Sequence, residues 1–218
     1  MASQVVAELN GMIADRNLLK HPFYQAWSAG ELPIQRLREY AVRYYPHVAA
    51  FPRYLSAIHS RCADLATRQA LLENLIEEER GADNHPELWL RFAEALGVDR
   101  SRVLEAPATR AIERLVGTFN AACASATPAA GLAAIYAYEA QIPSVATAKI
   151  DGLKRFYGIT GDRGLAFFSA HEKADVWHSR IDAELIERHC AGNEAAAGAA
   201  IESARAALDA LWTALDSM

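Results

Sequence analysis

Between Phe168 and Leu185 the apolar residues recur at helical spacing, and the face they define also carries two imidazoles and a carboxylate. The stretch reads His171-Glu172-Lys173-Ala174-Asp175-Val176-Trp177-His178. Offsets of four and seven residues turn an α-helix by only roughly 40° and 20° from a common line. His171, Asp175 and His178 therefore share one face with Phe168, Ala174, Ile181 and Leu185, and that face is expected to be buried. Ionisable groups in an apolar stripe are costly unless they pair with one another or bind a metal. Whatever this chain folds into must bring those three side chains a partner. H-x3-D-x2-H offers three ligands from two turns, of the kind that suits iron, manganese or zinc. A His–Asp hydrogen-bonded pair in a core explains the octapeptide alone equally well.

The rest of the chain carries the same 3.6-residue period, and no alternating strand pattern appears. Helices are expected over residues 5–17, 33–60, 67–96, 109–122, 127–157 and 193–216, besides the one holding the octapeptide. Pro46 and Pro52 should bend the second, Gly81 and Pro86 distort the third, and Pro143 disturb the fifth. The Ala-rich last helix, with Ile201, Ala204, Leu208, Leu211 and Leu215 on one line, reads as packing. The expected fold class is all-α, a compact bundle of about seven helices, in a single domain over residues 1–218. Of these 218 residues 52% are hydrophobic and 22% charged, an ordinary globular mix with enough chain for a sizeable core.

A net charge of -5 argues against a nucleic-acid partner. No apolar run of about 18 residues is present to cross a membrane, and the N-terminal residues lack the basic-then-apolar pattern of a leader. Cys62, Cys123 and Cys190 are odd in number and lack metal-site spacing. They read as reduced thiols of a cytoplasmic protein.

A metal bound by the octapeptide would need ligands from other helices, and two offer them. In the third helical stretch Glu78 and His85, seven residues apart, fall on the inward line of Leu71, Leu75, Ala82 and Leu88 or Trp89. Glu77 and Glu79 point about 100° away and are expected to be solvated. Pro86 makes the angle of His85 less regular. In the fifth stretch Glu139 is a lone carboxylate on the line of Leu132, Ile135, Tyr136, Ile142 and Ala146. Three carboxylates and three imidazoles suit two metal ions, iron or manganese, in a bundle core with open positions. The residues leave open the metal's identity and which carboxylate bridges.

The segments HPFYQAWSAGEL, AFPRYLSAIHSRC, NLIEEERGADNH, LWLRFAEALGV, YAYEAQIP and FSAHEKADVWH, spread over most of the chain, carry a resemblance. Together they resemble the chlamydial "protein associating with death domains" family and its bacterial 4-aminobenzoate synthases. These are haem-oxygenase-like dimetal oxidases, distantly related to the oxidase of pyrroloquinoline quinone synthesis. The resemblance places the family's metal ligands on Glu78, His85, Glu139, His171, Asp175 and His178. It implies a haem-oxygenase-like fold, dioxygen as co-substrate, an external reductant, a homodimer, and production of 4-aminobenzoate for folate synthesis. It also implies that Tyr24 supplies the product's ring and Lys149 its amino group. On an ideal helix Lys149 lies roughly 15 Å beyond Glu139 and about 80° around, so a bend at Pro143 or an inward-turned side chain is needed. Tyr40, Tyr44, Tyr45, Tyr136 and Tyr138 are further redox relays to consider, Tyr136 best placed beside Glu139. Two rival readings use the same chain: a dimetal oxygenase for an external small molecule, and a helical protein-interaction module.

Overall fold

Helix α11 (Asp162–Cys190) is 29 residues long, roughly 43 Å at the usual helical rise. Beside it lies α9 (Pro128–Glu139), whose residues from Ala129 to Glu139 are all buried. The computed structural model describes residues 2–218, except for the side chains at 2, 3, 173, 174 and 176. The expected inward placement of Ala174 thus lies outside the described residues.

The other elements are α1 (Ala2–Asp15), α2 (Pro22–Ala29), α3 (Ile34–Arg43), α4 (Tyr45–Arg61), α5 (Leu65–Glu79) and α6 (His85–Ala95). They continue with α7 (Arg100–Glu105), α8 (Arg110–Cys123), α10 (Ile142–Phe156) and α12 (Glu194–Asp216). No strand occurs among the described residues, and the expected all-α bundle is what forms. Three of the expected long helices are each divided in two, and two short helices, α2 and α7, fill connections. The divisions have local causes. A proline ring excludes the carbonyl four residues before it. Pro46 therefore separates α3 from α4, and Pro143 ends α9 at Glu139 and opens α10. Between α5 and α6 the chain turns at Gly81, whose φ of 80° favours glycine, and Asn84 caps α6 through the Glu87 amide. Pro86 then sits in the first turn of α6, where its missing N–H costs nothing.

Around α9 pack α4, α8, α11 and α12. Close approach needs small residues, which α9 supplies with its alanines and α12 with Ala196, Ala200, Ala204, Ala207 and Ala214, all buried. At Gly131 of α9 the approach leaves no room for a side chain: a Cβ there would stand 2.6 Å from Ile58 Cγ1 and 3.0 Å from the Cys123 Cα. The alanine-rich tail is thus packing, as its pattern indicates. No helix is long and apolar enough to cross a membrane among the described residues.

Candidate metal centre

Six polar side chains meet in the middle of the bundle in two groups. Glu78 from the end of α5, His85 from the start of α6 and His171 from α11 form the first; Glu139 from the end of α9 with Asp175 and His178 from α11 form the second. Within each group one ligand atom per residue lies within 4.8 Å of the others. None of the six is more than 7% exposed. The break after Glu79 does not separate Glu78 from His85, since His85 Nδ1 lies 2.8 Å from Glu78 Oε1. Yet His85 Nδ1 has no hydrogen-bond partner, because the carboxylate lies off the direction of the ring N–H. Asp175 Oδ2 is likewise buried without a partner, and Glu139 meets the carboxyl of Asp182. On the other side of its ring, His171 Nδ1–H donates to the Phe167 carbonyl at 2.7 Å, which leaves Nε2 as a free lone pair.

Carboxylate and imidazole atoms gathered this closely in a buried site suit a cation, and this donor set fits two hard or borderline ions. The protonation of these groups is set by burial and by one another. Burial pushes Glu139 well above the usual carboxylate range and Asp175 up to about 6. Burial also holds His171 well below the usual imidazole value, with the His85 ring adding to the effect. At His85 burial opposes the charged ring, but the Glu78 carboxylate outweighs it. At His178 burial is outweighed by Asp175 and Glu77.

Tyr24 and Lys149 stand together a short way off. The Lys149 amine is 5.0 Å from the Tyr24 ring centroid and equally enclosed by the rings of Trp27, Tyr40 and Phe168. It donates to the Tyr40 hydroxyl at 2.9 Å, and that hydroxyl is 3.2 Å from the Tyr24 hydroxyl. The helix restarts at Ile142 and Lys149 is buried, the inward-turned side chain that the sequence reading required. Burial alone pulls the amine down to about 7, and burial raises the Tyr24 phenol. Lys149 is thus a partly neutral amine against a neutral phenol. Tyr136 is not the best placed relay: its hydroxyl donates to Asn10 of α1 at 2.6 Å, while Tyr138 lines a cavity beside the first ligand group.

A family described as iron-containing redox enzymes matches residues 38–212. A 4-aminobenzoate synthase of Chlamydia pneumoniae is 43% identical over 96% of this chain and 92% of its own. The chain belongs to the 4-aminobenzoate synthase family. Another 4-aminobenzoate synthase, from Nitrosomonas europaea, is 42% identical over 97% of this chain and 89% of its own. A TenA homolog from Pseudomonas syringae pv. tomato superposes with a TM-score of 0.81 over 98% of this chain and 90% of that one, at 18% identity. That likeness shows the shared haem-oxygenase-like fold. The family assignment makes this chain an oxidoreductase.

In this member of the 4-aminobenzoate synthase family two further polar residues belong to the site. Asn74, one turn before Glu78, donates its amide to Glu139 Oε1 at 3.0 Å. Asp182, 4% exposed, faces Glu139, and burial pushes it up to about 7. Asp182 follows Asp175 by seven residues, so the stripe that exposed the octapeptide extends to it. Asn74 gave a weaker signal, being neutral and followed by an acidic run. Glu77, expected to be solvated, is half exposed, but its carboxylate reaches to 3.4 Å from His178 Nε2.

Proposed function

We propose that this protein is a dioxygen-dependent dimetal oxidase that makes 4-aminobenzoate from its own Tyr24, with Lys149 as the amino donor. The observation that carries the reading is the pairing of a buried, partly neutral lysine with a tyrosine ring 5.0 Å away, alongside two groups of metal-type ligands. Two iron or manganese ions, held by Glu78, His85 and His171 and by Glu139, Asp175 and His178, would supply dioxygen activation. The names of the Chlamydia pneumoniae and Nitrosomonas europaea relatives supply the product.

The chain's own groups suit this chemistry. An amine that is half deprotonated near pH 7 is a nucleophile, whereas an ordinary lysine is not. The Tyr40 hydroxyl, bonded to both Lys149 and Tyr24, holds amine and phenol in register and offers a path for a proton between them. Burial of Tyr24 keeps its phenol protonated, so that oxidation and proton loss go together. The seven carbons of 4-aminobenzoate match the ring and Cβ of a tyrosine. Its formation breaks the Cα–Cβ bond of Tyr24, oxidises Cβ to the carboxylate, and replaces the ring C–O bond with C–N. The nitrogen comes from Lys149 with rupture of its Nζ–Cε bond, Cε being left as an aldehyde, while the ring oxygen leaves as water and Cα takes a hydrogen to become a glycyl residue. Dioxygen is the oxidant and an external reductant supplies the remaining electrons.

An external aromatic substrate is disfavoured by space. The cavity beside Glu78, His85 and His171 measures about 10 Å³, and a pocket beneath Trp177 about 110 Å³, against the roughly 300–1,000 Å³ of ordinary small-molecule sites. The test is paired. Tyr24→Phe should keep the metal content of the parent and form no 4-aminobenzoate, and the His171→Ala, His178→Ala double variant should lose both metal and product. Undiminished product from Tyr24→Phe would end the reading.

A further inference from the structure

The small cavity beside the first ligand group has a wall that the proposed reaction does not use. It is lined by Glu78, His85 and His171 and also by His47, Phe51 and Tyr138. Its volume of about 10 Å³ is close to the room that one water molecule needs. His47 comes from α4, is 1% exposed, and packs against the rings of Tyr44, Phe119 and Tyr138. Its Nδ1 lies 3.3 Å from the Tyr54 hydroxyl, while its Nε2 is buried with no partner.

The ring's tautomer follows from these neighbours. Burial in the aromatic shell pulls His47 down to about 3, so the ring carries one hydrogen. The Tyr54 phenol has no other hydrogen-bond acceptor among the described residues, so it donates to Nδ1. The ring hydrogen is then on Nε2. A buried N–H with no acceptor is rare and costly. Here it belongs to a residue that lines a water-sized cavity together with His85 and His171.

We propose that His47 is a ligand-binding residue of this site, its Nε2–H holding a water, or a small ligand that displaces that water, against the Glu78–His85–His171 group. The part of this that concerns the metal rests on the function proposed above; the hydrogen bond to a water does not. As it stands the cavity has room for a single water, and azide, the probe used below, enters only as the side chains around it give way.

Two measurements test it. Crystals of the metal-free protein should show a water within about 3 Å of His47 Nε2, absent in His47→Leu. Ferric-loaded protein is then titrated with azide by absorbance, with iron content measured alongside. His47→Leu should keep the parent's iron and bind azide about tenfold more weakly, the loss of one hydrogen bond. His47→Gln, which keeps an N–H donor, should recover part of that loss. Tyr54→Phe leaves the cavity intact and frees the ring hydrogen to move to Nδ1; it should weaken azide by a smaller factor, roughly twofold to threefold. A dry cavity, or azide affinity unchanged in both His47→Leu and Tyr54→Phe, overturns the proposal, as does loss of iron from His47→Leu. Parent protein that takes up no iron yet holds the water would support the role of His47 and instead sink the dimetal reading.

Discussion

Replacing Lys149 with methionine should make the protein more stable while removing its proposed amino donor. In the unfolded chain the amine has its ordinary value of 10.5; in the fold, burial among Tyr24, Trp27, Tyr40 and Phe168 pulls it to about 7. At about 1.4 kcal/mol per pH unit, holding this lysine inside costs roughly 5 kcal/mol at neutral pH. Methionine fills similar space without a charge but gives up the 2.9 Å bond to the Tyr40 hydroxyl, worth about 1 kcal/mol. The net gain at pH 7 is then about 3–4 kcal/mol. The pH dependence is the sharper signature. Between pH 7 and 10.5 the unfolded chain holds a proton that the folded amine has lost, so the parent's stability rises with pH there and is independent of this group below 7. The advantage of Lys149→Met should shrink by about 2–3 kcal/mol from pH 7 to pH 9. Urea unfolding of both proteins at pH 6, 7, 8 and 9, after treatment with a chelator, reads this directly. A variant no more stable than the parent at pH 7, or a difference that ignores pH, would show that Lys149 is not held as an inward, desolvated amine.

Other perturbations address the metal groups and the packing around them. Affinity for iron or manganese should strengthen as pH rises from about 5 to 8, because Asp175 and Asp182, pushed by burial to about 6 and about 7, must lose protons as a cation arrives. Calorimetry in buffers of different ionisation enthalpy would detect that proton release. Asn74→Leu removes the amide that orients Glu139 and should weaken the affinity for one of the two ions by about 10- to 100-fold, measured by metal-content titration. Gly131→Ala puts a methyl against Ile58 and the Cys123 backbone, and should destabilise the bundle by about 1–3 kcal/mol in denaturant unfolding.

Helical periodicity is a property of neighbours along the chain, so much of this protein could be read without a structure. The shared face of His171, Asp175 and His178, the inward positions of Glu78, His85 and Glu139, and the all-α class all follow from local spacing and the cost of burying charge. Asp182 was legible on the same grounds, since it continues the line from Asp175 by seven residues. The division of the six inward side chains into two groups was not legible, because it depends on where the end of α5, the start of α6 and the end of α9 meet α11. Nor was the reach of Glu77 to His178, which a helical wheel places in solvent. Lys149 shows the difference most clearly. Extrapolating one helix from Glu139 sets it apart from the centre, but the break before Pro143 resets the helix phase, and the aromatic side chains of α2, α3 and α11 close over the amine. Residue type and spacing decide which face of a helix is buried; which side chains then touch, and how far each amine or carboxylate is shifted by losing water, is decided only when the helices pack.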